Sequence, residues 1–274
     1  MATRPQVMVD VNCDMGESYG AFCIGSDAEI LPWISSANVA CGFHGGDALV
    51  MNRTVQMAKA RGVAVGAHPS FPDLQGFGRR RMDVPPAELQ AILVYQIGAL
   101  RAFTEIHGIA LQHVKPHGAL SNMASENPDV AKVVAEAVRL VNPNLILLAP
   151  FGSRLAQAGK EAGLKVALEV FADRRYEADG SLRSRQHGNA LLTQPEEVVQ
   201  HVLGMVLENR ITAVDGLHIP VKAHSVCIHG DSPGAVEFAR RVHQALEAHS
   251  VQIQPLAQVI AILRQDDGDA GRRG

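Results

Sequence analysis

Residues 7–14 read VMVDVNCD, and their alternation decides the fold. Val7, Val9, Val11 and Cys13 are apolar, while Asp10, Asn12 and Asp14 are polar. Successive side chains of a strand point to opposite faces. One face of this strand therefore suits packing against helices, and the other carries two carboxylates and an amide.

The alternation recurs along the chain. In NVACGFH (38–44), Val39 and Cys41 oppose Asn38, Ala40 and, where extended geometry persists, His44. In VAVGAH (63–68), Val63 and Val65 oppose Ala64, Gly66 and His68. In QHVKPH (112–117), Val114 opposes His113, Lys115 and His117. In VALEVFAD (166–173), Val166, Leu168 and Val170 oppose Ala167, Glu169 and Asp173. In SVCIHGD (225–231), Val226 and Ile228 oppose Ser225, Cys227, His229 and Asp231. One strand with a wet face is ordinary. Six are not, because parallel strands covered by helices on both faces read as continuous apolar runs. Polar faces on six strands need a shared polar space, and the interior of a barrel supplies one.

Helical patterns separate the strands, over 48–61, 86–107, 128–141, 152–162, 195–209 and 233–249, with further strands at 145–149 and 251–253. Pro86, Pro128, Pro195 and Pro233 mark first turns, and Gly62, Gly108 and Gly163 mark ends. About seven or eight βα units without a linker predict an α/β fold, a closed or nearly closed barrel spanning 1–264 as one domain. The terminal stretch 265–274, QDDGDAGRRG, reads as disordered.

Apolar residues make up 47% and charged residues 19%, with a formal net charge of -3, so no basic surface points to nucleic acid. No apolar run reaches the roughly 18 residues of a membrane span, and the N-terminus lacks the pattern of a signal peptide. Four cysteines without C-x-x-C spacing argue against a zinc ribbon or disulfide scaffold and make a reducing cytoplasm the expected location.

The residues able to do chemistry cluster just after strands, in CDMGE, CGFHGGD, AHPSFPD, KPHGAL, FADRRY and HGDSPG. In parallel α/β folds those loops build the active site. Asp14, His44, His68, Lys115, His117 and Glu169 are the catalytic candidates, and Asp10, Asn12, Asn38, Asp173, His229 and Asp231 are candidates for holding substrate. Two chemistries stay open. A divalent metal would use Asp14, His44 and His68, with an open position for water. A metal-free site would use Asp14 or Glu169 as acid or base, with Lys115 holding an oxyanion. A structural network of buried salt bridges would contain the same residues. Cys41 falls on the apolar face and reads as packing. No G-x-x-x-x-G-K-[ST] loop is present; a phosphate could be held by backbone N–H groups of Gly45 and Gly46 or by Arg79 and Arg80.

Read in order, DVNCDMGESYG, ISSANVACGFHGGD, GAHPSFPDLQGFGRR, VKPHGAL, EVFADRRY and CIHGDSPGAV resemble the LamB/YcsF family over about Val9 to Leu256. The resemblance implies a seven-stranded (β/α) barrel similar to the glycoside hydrolase/deacetylase superfamily. It also implies a part in 5-oxoprolinase chemistry: opening the lactam of 5-oxo-L-proline to L-glutamate, with ATP as co-substrate and subunits B and C as partners. One departure is KPHGALSN where KPHGALYN is expected, so Ser121 removes an aromatic group near His117. Rival readings are a metal-dependent deacetylase-like amide hydrolase acting on a carbohydrate, and a non-catalytic coupling subunit.

Overall fold

The computed structural model describes residues 7–230 and 234–262. In chain order its strands are β1 (Met8–Met15), β2 (Ser36–Ala40), β3 (Ala64–His68), β4 (Leu111–Val114), β5 (Ile146–Pro150) and β6 (Lys165–Phe171). A hairpin of β7 (Arg210–Thr212) and β8 (His218–Pro220) follows, then β9 (Ser225–Ile228) and the short β10 (Gln252–Ile253). The helices are α1 (Asp27–Ile30), α2 (Ala48–Ala60), α3 (Pro86–Ile106), α4 (Gly118–Glu126), α5 (Pro128–Val141), α6 (Arg154–Glu161), α7 (Pro195–Leu207) and α8 (Ala235–Ala248).

Strands β1 to β6 pair in sequence, all parallel; β9 joins β6, and β1 closes the ring by pairing with β9. A seven-stranded barrel results, as the alternation required. On one edge β1 is shared along its length: Met8 and Val9 pair with β10, and Asp10 to Cys13 with β9. None of the described helices is long and apolar enough to cross a membrane. The tail expected to be disordered, 265–274, lies outside the described residues.

The outward faces match the parity reading. Val9, Val11, Cys13, Val39, Cys41, Val65, Val114, Val170 and Val226 are buried in the core between strands and helices. Helix α3 contributes Leu93, Ile97 and Leu100 to that core. Burial of such apolar surface, worth about 25 cal/mol per Å², is the main drive to wrap the helices around the barrel.

The inward faces are layered. At the floor, Asp10 accepts hydrogen bonds from Ser35 (2.7 Å), Ser36 (2.6 Å) and Ser225. Burial pushes its carboxyl up to about 6 although the three hydroxyls pull the other way. Beside it Ile146, Leu148 and Ala167 pack on Leu256 and Ile260, from a final helical stretch at 256–262. Above lies an amide layer. The Asn12 side-chain N–H donates to Glu169 (3.0 Å) and Ser225 (2.7 Å), and its oxygen accepts from Asn38 (2.7 Å). Asn38 in turn meets His113 Nε2 at 2.7 Å.

Gly66 makes room for that histidine. The β3–β4 register shifts between Val65 and Gly66, which brings Gly66 opposite His113. A Cβ at position 66 would lie 2.1 Å from His113 Nε2.

The interior can be tested at two positions. Gly66→Ala should force the His113 ring off its Asn38 partner, at about 1–3 kcal/mol for overpacking and several degrees in Tm; an unchanged melting curve would show that the ring moves freely. Asp10 generates a pH dependence. Its folded value, about 6, lies above its ordinary 3.8, so the native state binds the extra proton in that window. Asp10 therefore contributes on the order of 3 kcal/mol that is lost as pH rises from about 4 to 6, and its contribution is constant above. Urea midpoints of Asp10→Asn across pH 4–8 should lack that slope relative to the wild type.

Candidate active site

The carboxyl ends of the strands deliver the site. Asp14 comes from the end of β1, Glu169 from β6, Cys227 from β9, and Lys115 from the residue after β4. The Lys115 ammonium lies 2.9 Å from Asp14, 2.9 Å from Glu169, 3.0 Å from the Cys227 sulfur and 3.2 Å from the Asn12 oxygen. An ammonium has three N–H donors. Four acceptors already surround these three, so the oxyanion-holding role expected of Lys115 has no donor left to perform it. Burial disfavours its charge, but the carboxylates of Asp14 and Glu169 outweigh burial and hold Lys115 well above the usual lysine value. Burial alone would likewise raise Asp14; His68 and Lys115 override it and hold that carboxyl well below its ordinary range. Burial pushes the Cys227 thiol far up, which removes it as a nucleophile.

Beside this cluster stand three histidines and a glutamate. His44, His68, His117 and Glu17 are all buried. His44 Nε2 lies 3.0 Å from Glu17 Oε1, and its ring stacks on that of His117 with centroids 3.8 Å apart. His68 Nδ1 meets the Lys115 carbonyl at 2.7 Å, and His117 Nε2 meets the Phe77 carbonyl at 2.8 Å. Their other nitrogens, His68 Nε2 and His117 Nδ1, face each other at 2.9 Å. Burial, reinforced by His117 and His68, holds His44 well below the ordinary histidine value; burial and His68 bring His117 to about 3. Each of the four residues offers a ligand-type atom, all within 4.8 Å of one another. Asp14, Cys227 and His229 form a second such group, but the Lys115 ammonium is already bound to Asp14 and Cys227.

Opposite, His229 and Asp173 form a dyad. His229 Nδ1 lies 2.8 Å from Asp173 Oδ1, and the ring stacks on Phe171 at 5.6 Å. Burial would raise Asp173, yet His229 and Arg174 keep it low.

Several expected roles are corrected. Asp10, Asn12 and Asn38 have no exposed surface and brace the interior from below, so they hold other side chains rather than substrate. The phosphate cradle is not formed: the Gly46 N–H donates to the Ser18 carbonyl, and the Asp47 carboxylate caps α2 by accepting from Leu49 and Val50 (2.9 Å each). That start of α2 is therefore occupied by an anion of the protein's own. A Cβ on Gly45 would lie 2.8 Å from the Glu17 carbonyl, so this glycine allows the two loops to touch. Arg80 is ion-paired with Asp73, and Arg79 lies over the Phe77 ring, 5.0 Å from its centroid. His44 reaches the site through a loop, since β2 ends at Ala40 and Gly42 takes φ +90°. Asp14 stands at the edge of the histidine group, 3.4 Å from His68 Nε2, instead of completing a triad with His44 and His68. Asp231 lies outside the described residues. Glu17 was not anticipated, although CDMGE places it three residues after Asp14. Ser121 sits on the first turn of α4, its N–H bonded to the His117 carbonyl at 3.3 Å.

A closed parallel barrel whose strand ends carry carboxylates and histidines defines a (β/α)-barrel protein of the deacetylase-like fold. The peptidoglycan deacetylase PdaC from Bacillus subtilis, 14% identical, shares this fold with a TM-score of 0.52 over 98% of this chain and 97% of that one. The chain belongs to the LamB/YcsF family, whose family model matches residues 9–261. It is 51% identical to the A subunit of 5-oxoprolinase from Clostridium beijerinckii, over 92% of this chain and 98% of that protein. It is 53% identical to the A subunit of 5-oxoprolinase from Tolumonas auensis, over 90% and 99%. The lactam utilization protein of Thermus thermophilus has a crystal structure that matches with a TM-score of 0.87 at 48% identity, over 90% and 99%.

The Lys115 network yields a stability prediction. Lys115→Met leaves Asp14 and Glu169 buried without their cation and should cost about 3–5 kcal/mol. Adding Glu169→Gln should restore part of that loss. Denaturant titrations that find the double variant no more stable than Lys115→Met would show that the two charges do not interact through Lys115.

Proposed function

We propose that this chain is the A subunit of an ATP-dependent 5-oxoprolinase, a hydrolase that opens the lactam of 5-oxo-L-proline to L-glutamate while ATP is cleaved to ADP and phosphate. The observation that carries this reading is identity of 51% and 53%, over nearly the whole length, to proteins named as the A subunit of 5-oxoprolinase. That naming supports a multi-subunit assembly, with subunits B and C as the proposed partners.

Lactam opening needs a water made nucleophilic, charge balanced at the carbonyl oxygen, and a proton delivered to the departing nitrogen. ATP cleavage in the assembly phosphorylates the lactam oxygen and makes the ring carbon electrophilic; one water opens the C–N bond, and a second cleaves the resulting acyl phosphate to L-glutamate and phosphate. Asp14, whose side chain is 10% exposed against 1% for Glu169, is the carboxylate that meets substrate, and Glu169 anchors Lys115. Held low, Asp14 stays ionised and orients the attacking water rather than taking its proton. His229 moves the proton: its ring reaches within 4.8 Å of Asp14, and Asp173 fixes its Nδ1. It accepts the proton of water and returns it to the ring nitrogen as the C–N bond breaks.

The test measures glutamate release from 5-oxoproline and ATP, with the chain alone and with subunits B and C. Release should require the reconstituted assembly, and His229→Gln and Asp14→Asn should each lower kcat by about 10²–10⁴-fold. Near-normal turnover by both variants would make this chain a non-catalytic coupling subunit. No ATP-dependent release with all three subunits would exclude the 5-oxoprolinase reading itself.

A further inference from the structure

The histidine group poses a problem of protons. A backbone carbonyl can only accept a hydrogen bond. His68 Nδ1, 2.7 Å from the Lys115 carbonyl, therefore carries its hydrogen, and so does His117 Nε2, 2.8 Å from the Phe77 carbonyl. In the neutral rings this leaves His68 Nε2 and His117 Nδ1 without hydrogens, and these are the two atoms that face each other at 2.9 Å. Two lone pairs aimed at one another repel unless a proton or a metal ion lies between them.

The surroundings fit a cation. Glu17 Oε1 lies 3.6 Å from His117 Nδ1 and 3.0 Å from His44 Nε2. His44 Nδ1 is buried and has no hydrogen-bond partner. Four-coordinate metal with ligand bonds near 2.0–2.1 Å places its ligand atoms about 3.3 Å apart. The pair distances here, 2.9, 3.0 and 3.6 Å, bracket that value. Each of His68 and His117 donates its remote N–H to a backbone carbonyl, which is how metal-bound imidazoles are oriented.

We infer that Glu17, His44, His68 and His117 form a binding site for a divalent transition-metal ion. Three imidazoles and one carboxylate form a borderline-soft donor set, suited to Zn²⁺, Fe²⁺, Co²⁺ or Ni²⁺ over Mg²⁺ or Ca²⁺. Asp14 stays outside the set, held by Lys115 at 2.9 Å, with an edge turned to His68. It is left to contact whatever the ion binds on its open side. The site stands on the geometry of these four residues and holds whether or not the substrate is a lactam.

The experiment uses the full chain without a histidine tag, stripped by chelator and titrated with Zn²⁺ and with Co²⁺. One equivalent of either metal should bind, raising Tm, and Co²⁺ should show the visible ligand-field bands of a four- or five-coordinate site. Glu17→Gln, an isosteric change, should weaken binding by more than the roughly 10–100-fold typical of lost outer partners. His117→Ala should do the same, with the apo forms compared by circular dichroism to separate lost binding from lost folding. His107→Gln should bind as the wild type does, because His107 pairs with Asn52 elsewhere on the surface. Failure of the folded wild-type chain to bind either ion stoichiometrically, or an unchanged Co²⁺ spectrum and affinity in Glu17→Gln, would overturn the assignment. Binding without glutamate release in the reconstituted assay would leave the metal site standing and remove only the lactam reading.

Discussion

The ammonium of Lys115 is the interaction on which the barrel interior depends. It arrives from one side of the ring and binds carboxylates from two others, Asp14 on β1 and Glu169 on β6, together with Cys227 on β9. A closed barrel must fill its centre, and most fill it with branched hydrocarbon. This one places polar side chains there, among them Asp10, Asn12, Asn38, His113, Lys115 and Glu169. That is tolerable only where nearly every donor and acceptor is satisfied, because a partly satisfied buried network is worse than an apolar core. The Asn12–Asn38–His113 chain below Lys115 meets that condition closely, with the unpartnered His113 Nδ1 as its exception.

The network stabilises little by itself. Desolvating an ammonium and two carboxylates costs several kcal/mol per ion, and their mutual attraction does little more than offset it. Its effect is positional. Asp14 is fixed between an ammonium beneath and the His68 ring beside it, so its charge and direction are set before any ligand arrives. Preorganised charge of this kind does not have to reorient during reaction, which is where a site gains over water.

Parity in VMVDVNCD made the barrel and its polar interior legible, because each strand obeys a period of two and the inward letters are the ones that bond across the ring. It separated Cys41, packed outward, from Cys227, bonded to Lys115. It could not rank the inward residues by depth. Asp10, Asn12 and Asp14 look alike in a string, yet only Asp14 reaches the mouth. Depth depends on register between strands, such as Asp10 opposite Ser225 and Asp14 opposite Asn38, which no single strand encodes. Loop residues were the least readable. Glu17 and His44 meet because Gly16 and Gly46 take positive φ and turn two loops toward each other. The β7–β8 hairpin was overlooked, although Asp215-Gly216 is a turn signal between two short β-branched runs.

Charge ties the two halves of the mouth together. Among the described residues, four buried or nearly buried carboxylates gather there: Asp14, Glu17, Glu169 and Asp173. Lys115 lies against Asp14 and Glu169, Arg174 helps to hold Asp173 low, and the charge of Arg79 opposes protonation of His44 and His117. Glu17 faces His44 and His117, whose protonation is opposed by burial and by His68. Asp14 and Asp173 are held low and stay ionised. The mouth thus has one wall of three imidazoles and Glu17, and a ligand entering it meets Asp14 between that wall and the His229–Asp173 dyad.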